Sequence, residues 1–132
     1  MPTTAGFIVT ARGVSKSQAA VLLLEFWTSK GFSEHTASYN RLVLRRNGYG
    51  TLVRWLECNL FAGTAPWSEV PTELTVLIQT RPDHTSYDMT FALGGGVEEQ
   101  QPGGFRWALD PEVAEFVSFI NDWTAHARRE LE

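Results

Sequence analysis

Disulfides and multi-cysteine metal sites are excluded at once, because the chain holds a single cysteine, Cys58. A lone thiol suits the reducing cytoplasm better than an oxidising compartment, where it would pair between molecules. A cytoplasmic location is therefore expected. An excess of positive charge is missing too: 11 Lys and Arg stand against 15 Asp and Glu, a formal charge of −4. That balance argues against a nucleic-acid partner, while a local basic patch stays open. The longest apolar run, Ala19–Leu24, falls far short of the roughly 20 residues of a membrane span, so none is expected. The opening Met1-Pro2-Thr3-Thr4-Ala5-Gly6 lacks the basic and apolar regions of a signal peptide. Disorder is excluded by what is present: 43% of the 132 residues are hydrophobic and 12% aromatic. That composition supports one domain over residues 1–132 with a sizeable core.

Catalytic constellations are thin. Of the three histidines, His35 reads as a loop residue, His84 as a turn residue and His126 as the exposed end of the last helix. None has a metal-binding spacing, and neither a metal nor a cofactor is expected. Asp83-His84 has the form of an acid/base pair, but a turn tip does not exclude water. Cys58 has no neighbouring histidine and reads as a small hydrophobe at a strand end. Gly94-Gly95-Gly96 lacks the Gly-Lys-Ser/Thr ending of a phosphate loop, and Glu98 and Glu99 would repel phosphate. The stretch from Gly94 to Gly104 reads as a flexible connector. These absences point away from an enzyme.

The pattern of elements is more informative. Gly6 to Arg12 is rich in β-formers and predicts a strand, which Gly13-Val14-Ser15 ends. Ser15 followed by Gln18 has the form of a capping box, opening a helix to about Lys30 with Gly31 in the C-terminal capping place. Ala20, Leu23, Leu24 and Trp27 recur at helical spacing, widened by Leu22 and Phe26. Polar residues from Gly31 to Ser38 read as a loop. Tyr39 to Arg46 and Tyr49 to about Cys58 predict two strands around Asn47-Gly48, a hairpin signal. A three-residue loop there, with Gly48 at a bulge, puts Leu42, Leu44, Leu52 and Leu56 on one face, with Arg54 the exception. Asn59 to Pro71 reads as a long connection.

Thr72 to Thr80 and Ser86 to Leu93 predict two more strands, paired so that Thr80 lies opposite Tyr87. Their apolar face is Leu74, Val76, Ile78, Tyr87, Met89, Phe91 and Leu93, and Leu77 and Asp88 fall on the other. Such alternation suits a sheet packed on one side. Asp110-Pro111 reads as the start of a last helix to about Arg129. Glu112 and Glu115 would favour its N-terminal dipole, and Arg128 and Arg129 its C-terminal end. Val113, Phe116, Val117, Ile120, Trp123, Ala127 and Leu131 form its stripe. The expected fold is α+β, two-layered: an antiparallel sheet of about five strands, both helices on one face, in the order β-α-β-β-β-β-α.

If the helices cover the leucine face, the opposite face of the hairpin stays open. It carries Tyr39, Arg41, Val43 and Arg45 from one strand, and Tyr49, Thr51, Val53 and Trp55 from the other. Tyr39, Arg41, Val43, Arg45, Tyr49, Val53 and Trp55 are the candidate binding residues, and Leu77 extends the patch. Tyr, Trp and Arg are the types enriched in binding hot spots, and an exposed patch of this kind marks an interface or ligand groove. The competing reading is a solvated sheet that binds nothing. The expected partner is another protein or a second copy of the chain. An anionic small molecule held by Arg41 and Arg45 is an alternative. Stacked single-stranded nucleic acid is another, opposed by the net charge. A further alternative is a small-molecule pocket between sheet and helices, lined by Trp27, Phe91 and Trp123.

The element order resembles that of small helix-on-sheet domains of the helix-grip kind. The resemblance spans the chain but rests on order alone, and implies a fold without a function.

Overall fold

A computed structural model of the protein describes residues 4–38, 40–46, 71–93, 104–123 and 126–131. Among them, in chain order, are β1 (Thr4–Arg12), α1 (Lys16–Ser29), β2 (Phe32–Ala37), β3 (Arg41–Arg46), β4 (Thr72–Thr80), β5 (Thr85–Leu93), α2 (Gly104–Trp123) and β6 (His126–Leu131). The expected order is thus met, with one strand added at the end. All neighbours pair antiparallel, in the spatial order β2-β3-β4-β5-β1-β6. The fold is α+β, with both helices on one face of a single sheet. The expected strand Tyr49–Cys58, the Asn59–Pro71 connection and most of the glycine-rich segment lie outside the described residues.

Alternation builds the sheet. In β1, Ala5, Phe7, Val9 and Ala11 are buried and their neighbours are not; β3, β4 and β5 repeat the pattern. The buried set meets Leu22, Leu23, Phe26 and Trp27 of α1 and Phe105, Leu109, Val113, Phe116 and Ile120 of α2. Aromatic rings knit the layers: Phe116 lies 5.2 Å from Phe26 and 5.2 Å from Tyr87, and Trp27 lies 5.5 Å from Phe91, centroid to centroid. Two buried hydroxyls add directed ties. Tyr87 donates to the Ala19 carbonyl at 2.9 Å, and Thr85 donates to that of Val14 at 2.8 Å.

Helix α1 starts on the expected capping box. The Ser15 hydroxyl accepts from the Gln18 amide at 3.3 Å, and the Gln18 side chain accepts from the Ser15 amide at 3.1 Å. It stops where Gly31 takes the left-handed φ of +95°, a region costly for any residue with a Cβ.

Four expectations need correction. Phe32–Ala37 is a strand rather than a loop. It is an edge among the described residues, with only Phe32 buried, so it shows no alternation for a pattern to reveal. The β4–β5 pairing sets Thr80 opposite Thr85 and Ile78 opposite Tyr87. That is two residues from the expected register, an even shift that keeps every side chain on its expected face. Helix α2 begins at Gly104, and Pro111 lies inside it. Pro111 is exposed, so the hydrogen bond it cannot make falls on the solvent-facing side of the helix, where its loss is better tolerated than in the core. Finally, His126–Leu131 is a strand along β1, so Arg128 and Arg129 sit in β6 and not at a helix end.

Glu112 and Glu115 consequently lie well inside α2, and their partners are side chains rather than the dipole. Glu112 grips Arg46 with both oxygens, at 3.0 and 3.4 Å, and Glu115 pairs with Lys30.

Candidate functional site

Strand β3 sends its residues to opposite faces. Leu42 and Leu44 enter the core, and Arg41, Val43 and Arg45 point outward. This is the division expected from the leucine spacing. Val43 and Arg45 are half-buried and Arg41 is exposed. Tyr39, Tyr49, Val53 and Trp55 lie outside the described residues. The hairpin expected between β3 and Tyr49–Cys58 reaches beyond the described residues. Among the described residues, β3 is flanked on one edge by β2, from Phe32 opposite Arg46 to Ala37 opposite Leu42, and on the other by β4, from Arg46 opposite Thr72 to Arg41 opposite Leu77.

The register lays the outward residues in rows across the sheet. One row runs Arg41, Leu77, Asp88, Ile8; the next Val43, Thr75, Thr90, Gly6; the third Arg45, Glu73, Ala92, Thr4. Neither described helix packs on this face. Arg45 and Glu73, directly opposite each other, form an ion pair of 3.0 Å at part exposure, a cross-strand pairing of modest worth. A groove of about 300 Å3 lies between His35 and Thr36 of β2 and Arg41, Val43 and Arg45 of β3. The β2–β3 register shifts between Glu34 and Thr36, and that irregularity sets His35 beside the groove. The basic end-members Arg41 and Arg45 are four residues apart on one strand, about 13 Å along it.

His35, expected in a loop, lies instead on the exposed edge strand β2, which gives no periodic signal. Asp88 and Glu73 were legible as outward positions from strand alternation, but only the register brings them into rows with Arg41 and Arg45.

The other candidates are dispersed. His84 bonds Asp83 across 2.8 Å in the β4–β5 turn, and that hydrogen bond holds the Asp83 carboxyl below its usual 3.8. Asp83 is largely exposed, so the pair sits in water. Trp27, Phe91 and Trp123 do not line one cavity. The first two pack on each other in the core, and Trp123 is 63% exposed at the end of α2. There it borders a groove of about 370 Å3 with Val14, Val21 and Leu22. Among the described residues, no group of three or more His, Cys, Asp or Glu is placed to hold a metal, and no helix is long and apolar enough to cross a membrane.

No protein-family model, curated protein or solved structure matches the chain.

Proposed function

We propose that this is a non-enzymatic interaction domain of the cytoplasm that binds a protein through the outer face of its sheet. The observation that carries the reading is the one-sidedness of the helix layer. Both helices bury the inner face, while Ile8, Val43 and Leu77 stand on the other among Arg41, Arg45, Glu73 and Asp88. Half-buried aliphatic side chains ringed by charge have the composition of a binding patch, with arginine among the types that anchor such patches.

The test compares Val43→Arg and Leu77→Arg with a control on the helix side, Trp107→Ala, at a residue 78% exposed. Each is judged by co-purification of the bound chain, whether another copy or a different protein. Val43→Arg and Leu77→Arg are expected to weaken binding at least about tenfold by setting unpaired charge into the contact. Trp107→Ala is expected to leave it unchanged. Equal binding by all three variants would overturn the reading.

A further inference from the structure

The charges of the outer face are complementary to themselves. In the row Arg41, Leu77, Asp88, Ile8, the apolar Leu77 separates a cation from an anion. Among the described residues neither Arg41 nor Asp88 has an ion-pair partner, whereas Arg45 is held by Glu73. Two strand spacings, about 10 Å, keep Arg41 and Asp88 from meeting within one chain.

We infer that a second copy of this chain docks on this face, about a twofold axis running along β4 through Leu77. This rests on the reading above and names its partner. Such an axis exchanges the positions of β3 and β5. Arg41 then lies over the partner's Asp88, and Asp88 over the partner's Arg41. Leu77 meets the partner's Leu77 at the centre, and Val43 faces the partner's Thr90. Arg45 falls over the partner's Ala92, and Glu73, on the axis line, meets the partner's Glu73, each neutralised by its own Arg45 at 3.0 Å. Two sheets packed face to face lie about 10 Å apart with strands near 30° to each other, a gap that an arginine side chain crosses. The charges also select the axis. A twofold across the strands would set Arg41 over the partner's Arg41 and Asp88 over the partner's Asp88, and like charges so placed repel. The interface is isologous and closed, as in most homodimers.

The experiment is sedimentation of the full chain over a concentration series. The wild type is expected at twice the 14.8 kDa chain mass. Arg41→Asp and Asp88→Arg are each expected to raise the dissociation constant about a hundredfold, since every substitution acts twice in a symmetric dimer. The doubly substituted Arg41→Asp/Asp88→Arg chain is expected to recover the dimer, because the exchange restores both pairs. If a single variant fails to fold, the wild type decides: its dimer should weaken from low to molar salt. A monomeric wild type, a dimer indifferent to both single reversals, or a dimer indifferent to salt overturns the second copy. A monomer that binds a different protein, lost in Val43→Arg, overturns the second copy alone. A chain with no face-dependent partner overturns both readings.

Discussion

Removing Glu112 should cost more stability than removing the arginine it holds. Arg46 points to the core side of β3, and its side chain is 4% exposed, against 20% for Glu112. Its guanidinium meets both Glu112 oxygens, donates to the Lys30 carbonyl at 3.3 Å and lies 4.5 Å from the Phe32 ring. Glu112→Ala strands a cation that cannot reach water. Breaking a buried pair this way costs about 3–5 kcal/mol, and the partial exposure of the site points to about 3. Arg46→Met keeps a stem of similar length against Phe32 and Gly31 and removes the charge. It also removes the Nε, which is buried without a hydrogen-bond partner. The carboxylate left behind can turn to solvent, so this change should cost about 1 kcal/mol. The double variant should be no worse than Arg46→Met. Denaturant unfolding at one fixed protein concentration measures all three. For 132 residues, a loss of 3 kcal/mol lowers Tm by about 11 °C. Glu112→Ala within about 0.5 kcal/mol of wild type, or Arg46→Met costing more than Glu112→Ala, would refute the reasoning.

Two further perturbations test the ties between helix and sheet. Tyr87→Phe removes the hydrogen bond to the Ala19 carbonyl and should cost about 1 kcal/mol. Burial pushes the Tyr87 phenol upward from 10.0, so the folded chain keeps this proton where the unfolded chain releases it. The contribution is whole below pH 10 and declines as pH rises through the folded value, and an alkaline unfolding series should lose that slope in Tyr87→Phe. Ser15→Ala opens the capping box and should cost about 1 kcal/mol, with a matching fall in the urea midpoint and an unchanged m-value.

The central strands were legible because both of their faces leave a mark in sequence. In β4 and β5 every second residue is buried from Leu74 to Ile78 and from Thr85 to Leu93, so alternation gave the faces even where the register was two residues off. β2 left no such mark, having only Phe32 to bury. β6 was hidden because His-Ala-Arg-Arg-Glu-Leu continues the four-residue spacing of Trp123, Ala127 and Leu131. Pro111 misplaced the helix start, because a proline that fits the first turn also survives on a solvent-facing side. The outward set Arg41, Val43, Arg45 was readable from Leu42 and Leu44 alone. Its neighbours were not: Asn47-Gly48 describes how a chain can reverse, and says nothing about which strands occupy the two edges of β3. Partners remote in sequence, such as Glu112 for Arg46, 66 residues away, leave no local signature.

Three arginines on one short strand serve three different ends, and their surroundings decide which. Arg46 is enclosed and bonded, so its charge is spent on joining β3 to α2. Arg45 is half-exposed and paired with Glu73, a surface contact worth about 1 kcal/mol or less. Arg41 is exposed, with no ion-pair partner among the described residues. A charge already balanced inside the chain has little left to offer another molecule, because a new contact must first strip the old one. An unbalanced charge beside half-buried aliphatic residues keeps its field for whatever docks there. Substitution should therefore separate the roles along β3. Changing Arg46 should move the unfolding midpoint. Changing Arg41 should leave that midpoint of the single chain within about 0.5 kcal/mol while altering association. If Arg41→Asp instead destabilised the isolated chain as much as Arg46→Met does, the division of labour along β3 would be wrong, and Arg41 would belong to the fold.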